Sequence, residues 1–105
     1  MSPTAEAEVE IVNQLGLHAR PAAHFVRTSA KFESEIYVVR DGVEVNGKSI
    51  MGVMMLAAEQ GSTLRIRAEG DDAEAAVRAL VDLVERGFDE DDEGRPVSNG
   101  ARSAE

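Results

Sequence analysis

The sequence predicts an α+β fold: a small, largely antiparallel sheet with helices over one face and water over the other. Three observations lead to it. Several short runs alternate apolar and polar residues, as strands with one buried face do. Between them lie segments with apolar residues every three or four positions, the mark of amphipathic helices. Asp41-Gly42, set between two β-rich runs, is a hairpin signal that makes at least one strand pair antiparallel. The predicted order is β-α-β-β-α-β-α.

The first strand is read in Ala7-Glu8-Val9-Glu10-Ile11, which alternates cleanly, and Asn13 to Leu17 follows as a loop. A helix runs from Ala19 to about Lys31, with Ala22, Phe25, Val26 and Ala30 on one face. Pro21 is compatible because proline in the first helical turn lacks only an N–H that has no intrahelical acceptor. Glu33 to Arg40 forms the second strand, Ile36 and Val38 on one side, Tyr37 and Val39 on the other. Asp41-Gly42 turns the chain into a short strand at Val43-Glu44-Val45, and Asn46-Gly47 turns it again. Ser49 caps a short helix from Ile50 to about Leu56, which stops before Gly61. Thr63 to Ala68 is the fourth strand, with Thr63, Arg65 and Arg67 facing water. Asp71, with Glu74 three residues on, is the expected cap of the last helix, whose stripe is Ala73, Ala76, Val77, Leu80, Leu83 and Val84. Residues 1–88 therefore read as one domain. Residues 89–105 read as an acidic tail without fixed structure, rich in Asp, Glu, Gly and Ser.

Composition narrows the function. A chain of 105 residues with a formal charge of −9 lacks the clustered Lys and Arg of general nucleic-acid or anionic-membrane binders. Cysteine is absent, so neither disulfides nor thiolate metal sites are possible. The N-terminus has no basic-then-apolar signal pattern, and the apolar run from Ile50 to Ala58 falls short of the roughly 20 residues that span a bilayer. A cytoplasmic protein without membrane insertion is the expectation.

The stretch Gly16-Leu17-His18-Ala19-Arg20-Pro21-Ala22 places a histidine at the N-cap of the first helix, where Ser, Thr, Asp or Asn would be usual. A helix start offers free backbone N–H groups and partial positive charge to an anion. Arg20 adds a guanidinium fork suited to phosphate oxygens, and Gly16 lets the loop fold tightly enough to expose the imidazole. Imidazole is a nucleophile near neutral pH, and phosphoryl transfer asks a protein mainly for positioning and charge stabilisation. From the residues alone, a phosphoryl-accepting histidine and a generic anion-binding helix end stand about level.

"GLHARPA", then "NGKSIMGVMML", then "AEGDDAEAAV" before an apolar helix resemble the HPr family, the histidine-containing phosphocarriers of the phosphoenolpyruvate:sugar phosphotransferase system. The resemblance runs from about Ala7 to Phe88. It implies an open-faced β-sandwich, a four-stranded antiparallel sheet covered on one face by three helices. It implies that His18 accepts phosphate on Nδ1 from phosphorylated enzyme I and passes it to enzyme IIA proteins, and that Arg20 contacts the phosphate. It implies that Ser49 is the residue phosphorylated by a dedicated HPr kinase/phosphorylase where that enzyme exists. It also implies a docking face on the first two helices, with Arg27, Ile50, Met51, Met54 and Met55 as contact residues. Such a protein is a carrier, not an enzyme with a small-molecule substrate, and needs no metal or cofactor; a monomer is expected.

Ser49 also serves as a plain helix cap, and Ile50 and Val53 as plain core. His24, inside the first helix, reads as a surface histidine. The acidic tail is expected to be solubilising charge that can fold back over Arg20 or Arg27. The alternatives are a regulatory, nitrogen-related relative that feeds no sugar transport, and, from another class, a small RNA- or ligand-binding α+β domain. The latter needs exposed aromatics and a basic sheet face, against which stand Tyr37 alone and the net negative charge. A small hydrolase lacks a nucleophile–base–orienter set.

Overall fold

The computed structural model describes residues 2–91 and 93–96. Its elements are β1 (Thr4–Glu10), α1 (Ala19–Ser29), β2 (Glu35–Arg40), β3 (Val43–Asn46), α2 (Ile50–Met55), β4 (Thr63–Glu69) and α3 (Ala73–Glu85), followed by a single 3-10 turn, Gly87–Asp89. The strands form one four-stranded sheet in the order β1-β4-β2-β3, with every neighbouring pair antiparallel. The predicted order of elements and the antiparallel sheet are thus observed.

Alternation decides which side of the sheet is buried. Val9, Ile36, Val38, Leu64, Ile66 and Ala68 face the helices and are buried. They meet Ala22 and Phe25 of α1, Val53 of α2, and Ala76, Leu80, Leu83 and Val84 of α3 in one continuous core. The other face stays polar. There Arg67 lies 4.3 Å from the Tyr37 ring centroid and bonds Glu69 and Glu44, while Arg65 is paired with Glu6. Both arginines are matched by carboxylates, so this face presents no basic stripe of the kind an RNA-binding sheet needs.

The hairpin at Asp41-Gly42 has both residues at positive φ, 51° and 81°, the twist that joins two antiparallel strands by two residues. Elsewhere the local reading shifts. The last helix is capped at Asp72 rather than Asp71, and the Asp72 side chain does not cap it. Its carboxylate instead accepts hydrogen bonds from the Glu33 and Ser34 N–H groups and from the Ser34 hydroxyl. These bonds hold the Asp72 carboxyl below the ordinary carboxylate range, the Ser34 hydroxyl being the largest cause. Ala30, expected on the buried face of α1, is its exposed C-cap, and Ser29 is buried in its place. α2 ends at Met55, because Ala57 turns left-handed at φ 49°.

The expected break after residue 88 does not mark the end of the packed chain. Phe88 is buried, and the chain beyond it returns to the start of α1. The rest of the predicted tail, Asp92 and 97–105, lies outside the described residues.

Candidate functional site

The loop from Asn13 to Leu17 sets the site. Leu17 is buried and its N–H donates to the Ala58 carbonyl at 2.9 Å, which anchors the residue just before the histidine. Gly16 makes the turn with φ +69°, and a Cβ there would sit 2.5 Å from that same carbonyl oxygen. Gly16→Ala combines a left-handed backbone penalty with a clash against backbone. We expect it to destabilise the fold by about 2–4 kcal/mol, read as a lowered thermal midpoint, and to disturb the presentation of His18.

His18 is the N-cap of α1, in extended conformation (φ −76°, ψ −170°), and its side chain caps nothing. Its carbonyl accepts the Ala22 N–H at 3.0 Å, so the helix begins on it. The first turn of α1 carries no acidic residue, and Pro21 has no N–H to offer. The Ala19 and Arg20 amides therefore make up a positive helix end with no internal anion, as the sequence predicts. The imidazole is partly open, 35 % exposed.

Three partners of this site escape a local reading of the sequence: Asn13, Glu90 and Gly94. Nε2 of His18 lies 2.9 Å from Oε2 and 3.2 Å from Oε1 of Glu90. Asn13 is buried and its Nδ2 donates both to the Gly16 carbonyl at 2.9 Å and to Glu90 Oε1 at 3.0 Å. The Arg20 guanidinium donates through Nη1 to the Gly94 carbonyl at 3.0 Å. Asn13 is detectable as a loop asparagine. Glu90 and Gly94 are hidden in a run that reads as solvated charge.

Ser49 is the N-cap of α2, and its Oγ accepts the Gly52 N–H at 3.0 Å. On α2, Val53 is buried, whereas Met51 and Met55 are each 73 % exposed and Met54 is 40 % exposed. Ile50, read both as core and as a docking contact, is exposed, which removes the core reading, because a six-residue helix turns only one residue fully inward. Arg27 is exposed in the last turn of α1, which packs against α2. Leu15 and Val12 add two exposed apolar side chains in and beside the histidine loop. His24 is half-buried, not a simple surface residue. Burial and then Arg27 pull its pKa below the ordinary imidazole range, with Arg86 and Lys31 adding to this and Asp89 opposing it. Among the described residues no group of three or more His, Asp or Glu side chains is placed to hold a metal ion.

Fold and site together define a small open-faced α/β sandwich with a histidine at the N-cap position of its first helix, beside an arginine, at its surface. Residues 5–86 match the family model described as the PTS HPr component phosphorylation site. The chain is 50% identical over 86 residues to the phosphocarrier protein HPr of Xylella fastidiosa, covering 82% of this chain and 97% of that one. HPr of Thermoanaerobacter tengcongensis superposes with a TM-score of 0.80 at 54% identity, covering 83% of this chain and 98% of the other. Crh of Bacillus subtilis, solved as a domain-swapped dimer, gives a TM-score of 0.65 at 41% identity over 74% of this chain and 90% of its own. The chain belongs to the HPr family of phosphocarrier proteins of the phosphotransferase system. No helix among the described residues is long and apolar enough to cross a membrane.

Proposed function

We propose that the protein is a cytoplasmic, monomeric phosphoryl carrier that takes phosphate from phosphorylated enzyme I onto Nδ1 of His18 and delivers it to enzyme IIA proteins. The observation that carries this reading is the partly open imidazole at the N-terminus of α1, whose first turn holds no acidic residue, with Arg20 in the same turn. The Nδ1 lone pair attacks phosphorus while the bond from phosphorus to the donor breaks, its electron pair returning to the donor. Helix-terminal N–H groups and the remaining guanidinium donors of Arg20 face the phosphoryl oxygens. No small substrate is turned over. Incubation with phosphoenolpyruvate and enzyme I, read by intact mass, tests this directly: one acid-labile phosphoryl group per chain is expected. A folded protein that stays unmodified beside an active enzyme I overturns the reading and leaves a family member used for regulation alone.

Arg27, Ile50, Met51, Met54 and Met55 are the proposed docking surface. Flexible methionine side chains suit a face that fits several partners in turn. Ser49 is the proposed control point, open to an HPr kinase/phosphorylase. Phosphate there adds close to two negative charges at a helix N-terminus, which tolerates them, next to a surface that an acidic partner must approach. Ser49→Asp keeps a good N-cap and is expected to leave the thermal midpoint in place. Phosphoryl uptake from enzyme I should slow about tenfold, a like-charge cost near 1.4 kcal/mol. An unchanged uptake rate removes the electrostatic account of control.

A further inference from the structure

We propose that Glu90 is a positioning residue for His18: its carboxylate accepts the Nε2–H, so that the imidazole lone pair is presented on Nδ1. The inference rests on the reading of His18 as the phosphoryl acceptor and deepens it. Glu90 lies just beyond residues 5–86 that match the family model.

The contact is built rather than incidental. The Glu90 side chain is 1 % exposed; Oε1, 3.2 Å from Nε2, makes the hydrogen bond, while Oε2 lies 2.9 Å from Nε2 with no hydrogen-bond partner of its own among the described residues. A carboxylate so far from water needs partners, and His18 and the buried Asn13 are the two it has among the described residues. The chain is steered there by Phe88 and Asp89, consecutive non-glycine residues both at φ 58°, a strained arrangement that buried Phe88 anchors. Beyond Glu90 the backbone closes on itself. Glu90 bridges to Pro96, the Asp91 N–H donates to the Arg95 carbonyl at 2.7 Å, and Asp91 Oδ1 accepts the Glu93 and Arg95 N–H groups. Gly94 then lies against the site, where a Cβ would fall 2.5 Å from Leu15 Cδ1 and 3.6 Å from His18 Nε2.

The chemistry gains from such a group. Neutral imidazole has one protonated and one free nitrogen, and the hydrogen bond made by one decides which is available at the other. With Nε2–H held by Glu90, Nδ1 is the nucleophile. As the N–P bond forms and the donor leaves with its electron pair, Nε2 keeps its proton and the ring gains positive charge. That charge faces the carboxylate, so the contact is stronger in the transition state than before it.

The test uses full-length, 15N-labelled wild type, Glu90→Ala and Glu90→Asp, with His24 as internal reference. Long-range proton–nitrogen spectra at alkaline pH, where imidazole is neutral, report the tautomer of each histidine. Wild-type His18 is expected as the Nε2–H form. In Glu90→Ala the ratio of Nε2–H to Nδ1–H should fall about tenfold, the low end for a hydrogen bond to a charged group at a partly open site. Glu90→Asp should restore part of it, and the rate of phosphoryl uptake should follow the same order. An unchanged tautomer ratio in folded Glu90→Ala overturns the proposal. If that variant does not fold, an Nδ1–H tautomer in wild type overturns it equally. The spectra need no phosphoryl donor. A tautomer that responds to Glu90 in a protein that never accepts phosphate upholds the contact and removes the carrier reading instead.

Discussion

His18→Ala is expected to take up no acid-labile phosphoryl group, while the fold survives nearly intact. The imidazole is a partly exposed side chain on an anchored backbone, so little of the core depends on it. Leu17 stays buried with its N–H on the Ala58 carbonyl, and the α1 backbone still begins at residue 18. What is lost is the partner of the Glu90 carboxylate, worth about 1–2 kcal/mol, since that segment can open to water. The thermal midpoint should therefore fall by only several degrees. The chemical effect is expected to be total, because the other histidine of the sequence, His24, is half-buried in the body of α1, away from the free helix end. Intact mass before and after acid treatment separates the possibilities. Acid-stable phosphate marks serine modification at a site such as Ser49, and acid-labile phosphate persisting in His18→Ala places the acceptor elsewhere.

Phe25→Ala is expected to show the largest loss of stability of any single truncation proposed here. Phe25 is fully buried, and α1, which carries it, packs against both α2 and α3. Removing a buried phenyl ring costs its transfer energy and leaves a cavity, together about 3–5 kcal/mol. Against a total of roughly 5–15 kcal/mol for a small domain, that removes much of the margin and lowers the midpoint by roughly 15–30 °C. Urea and thermal unfolding measure it, and a loss below about 1 kcal/mol would show that α1 is not packed as described. Because His18 begins the same helix, phosphoryl uptake should fall close to the new midpoint, where α1 loosens.

Much of this architecture is legible in order along the chain. The strands announce themselves by alternation, as in Thr63 to Ala68, and α3 by its stripe from Ala73 to Val84, because burial on one face imposes a period on neighbouring residues. The hairpin is written in Asp41-Gly42, since two positive φ angles select those residue types. The proposed phosphoryl site is legible too, because a glycine turn, a histidine and an arginine within five residues meet at one helix end.

Where reading and structure part, a distant residue has intervened. The cap falls on Asp72 rather than Asp71, and its carboxylate, instead of capping the helix, accepts from the backbone of Ser34, a partner 38 positions away. Ile50 reads as core by hydrophobicity alone, yet on so short a helix only the residue aimed at the sheet, Val53, finds cover. The acidic segment after Gly87 reads as solvated charge because carboxylates normally stay in water unless paired. Pairing is a tertiary fact. Glu90 meets a histidine 72 positions earlier, held there by Asn13 and by a strained turn at Phe88 and Asp89. By itself the sequence determined the elements, their buried faces and the histidine at the helix end, all properties of residues within a few positions of one another. Only the tertiary structure decided which carboxylate faces that histidine and which carbonyl holds its arginine, because the contacts close across 72 and 74 positions.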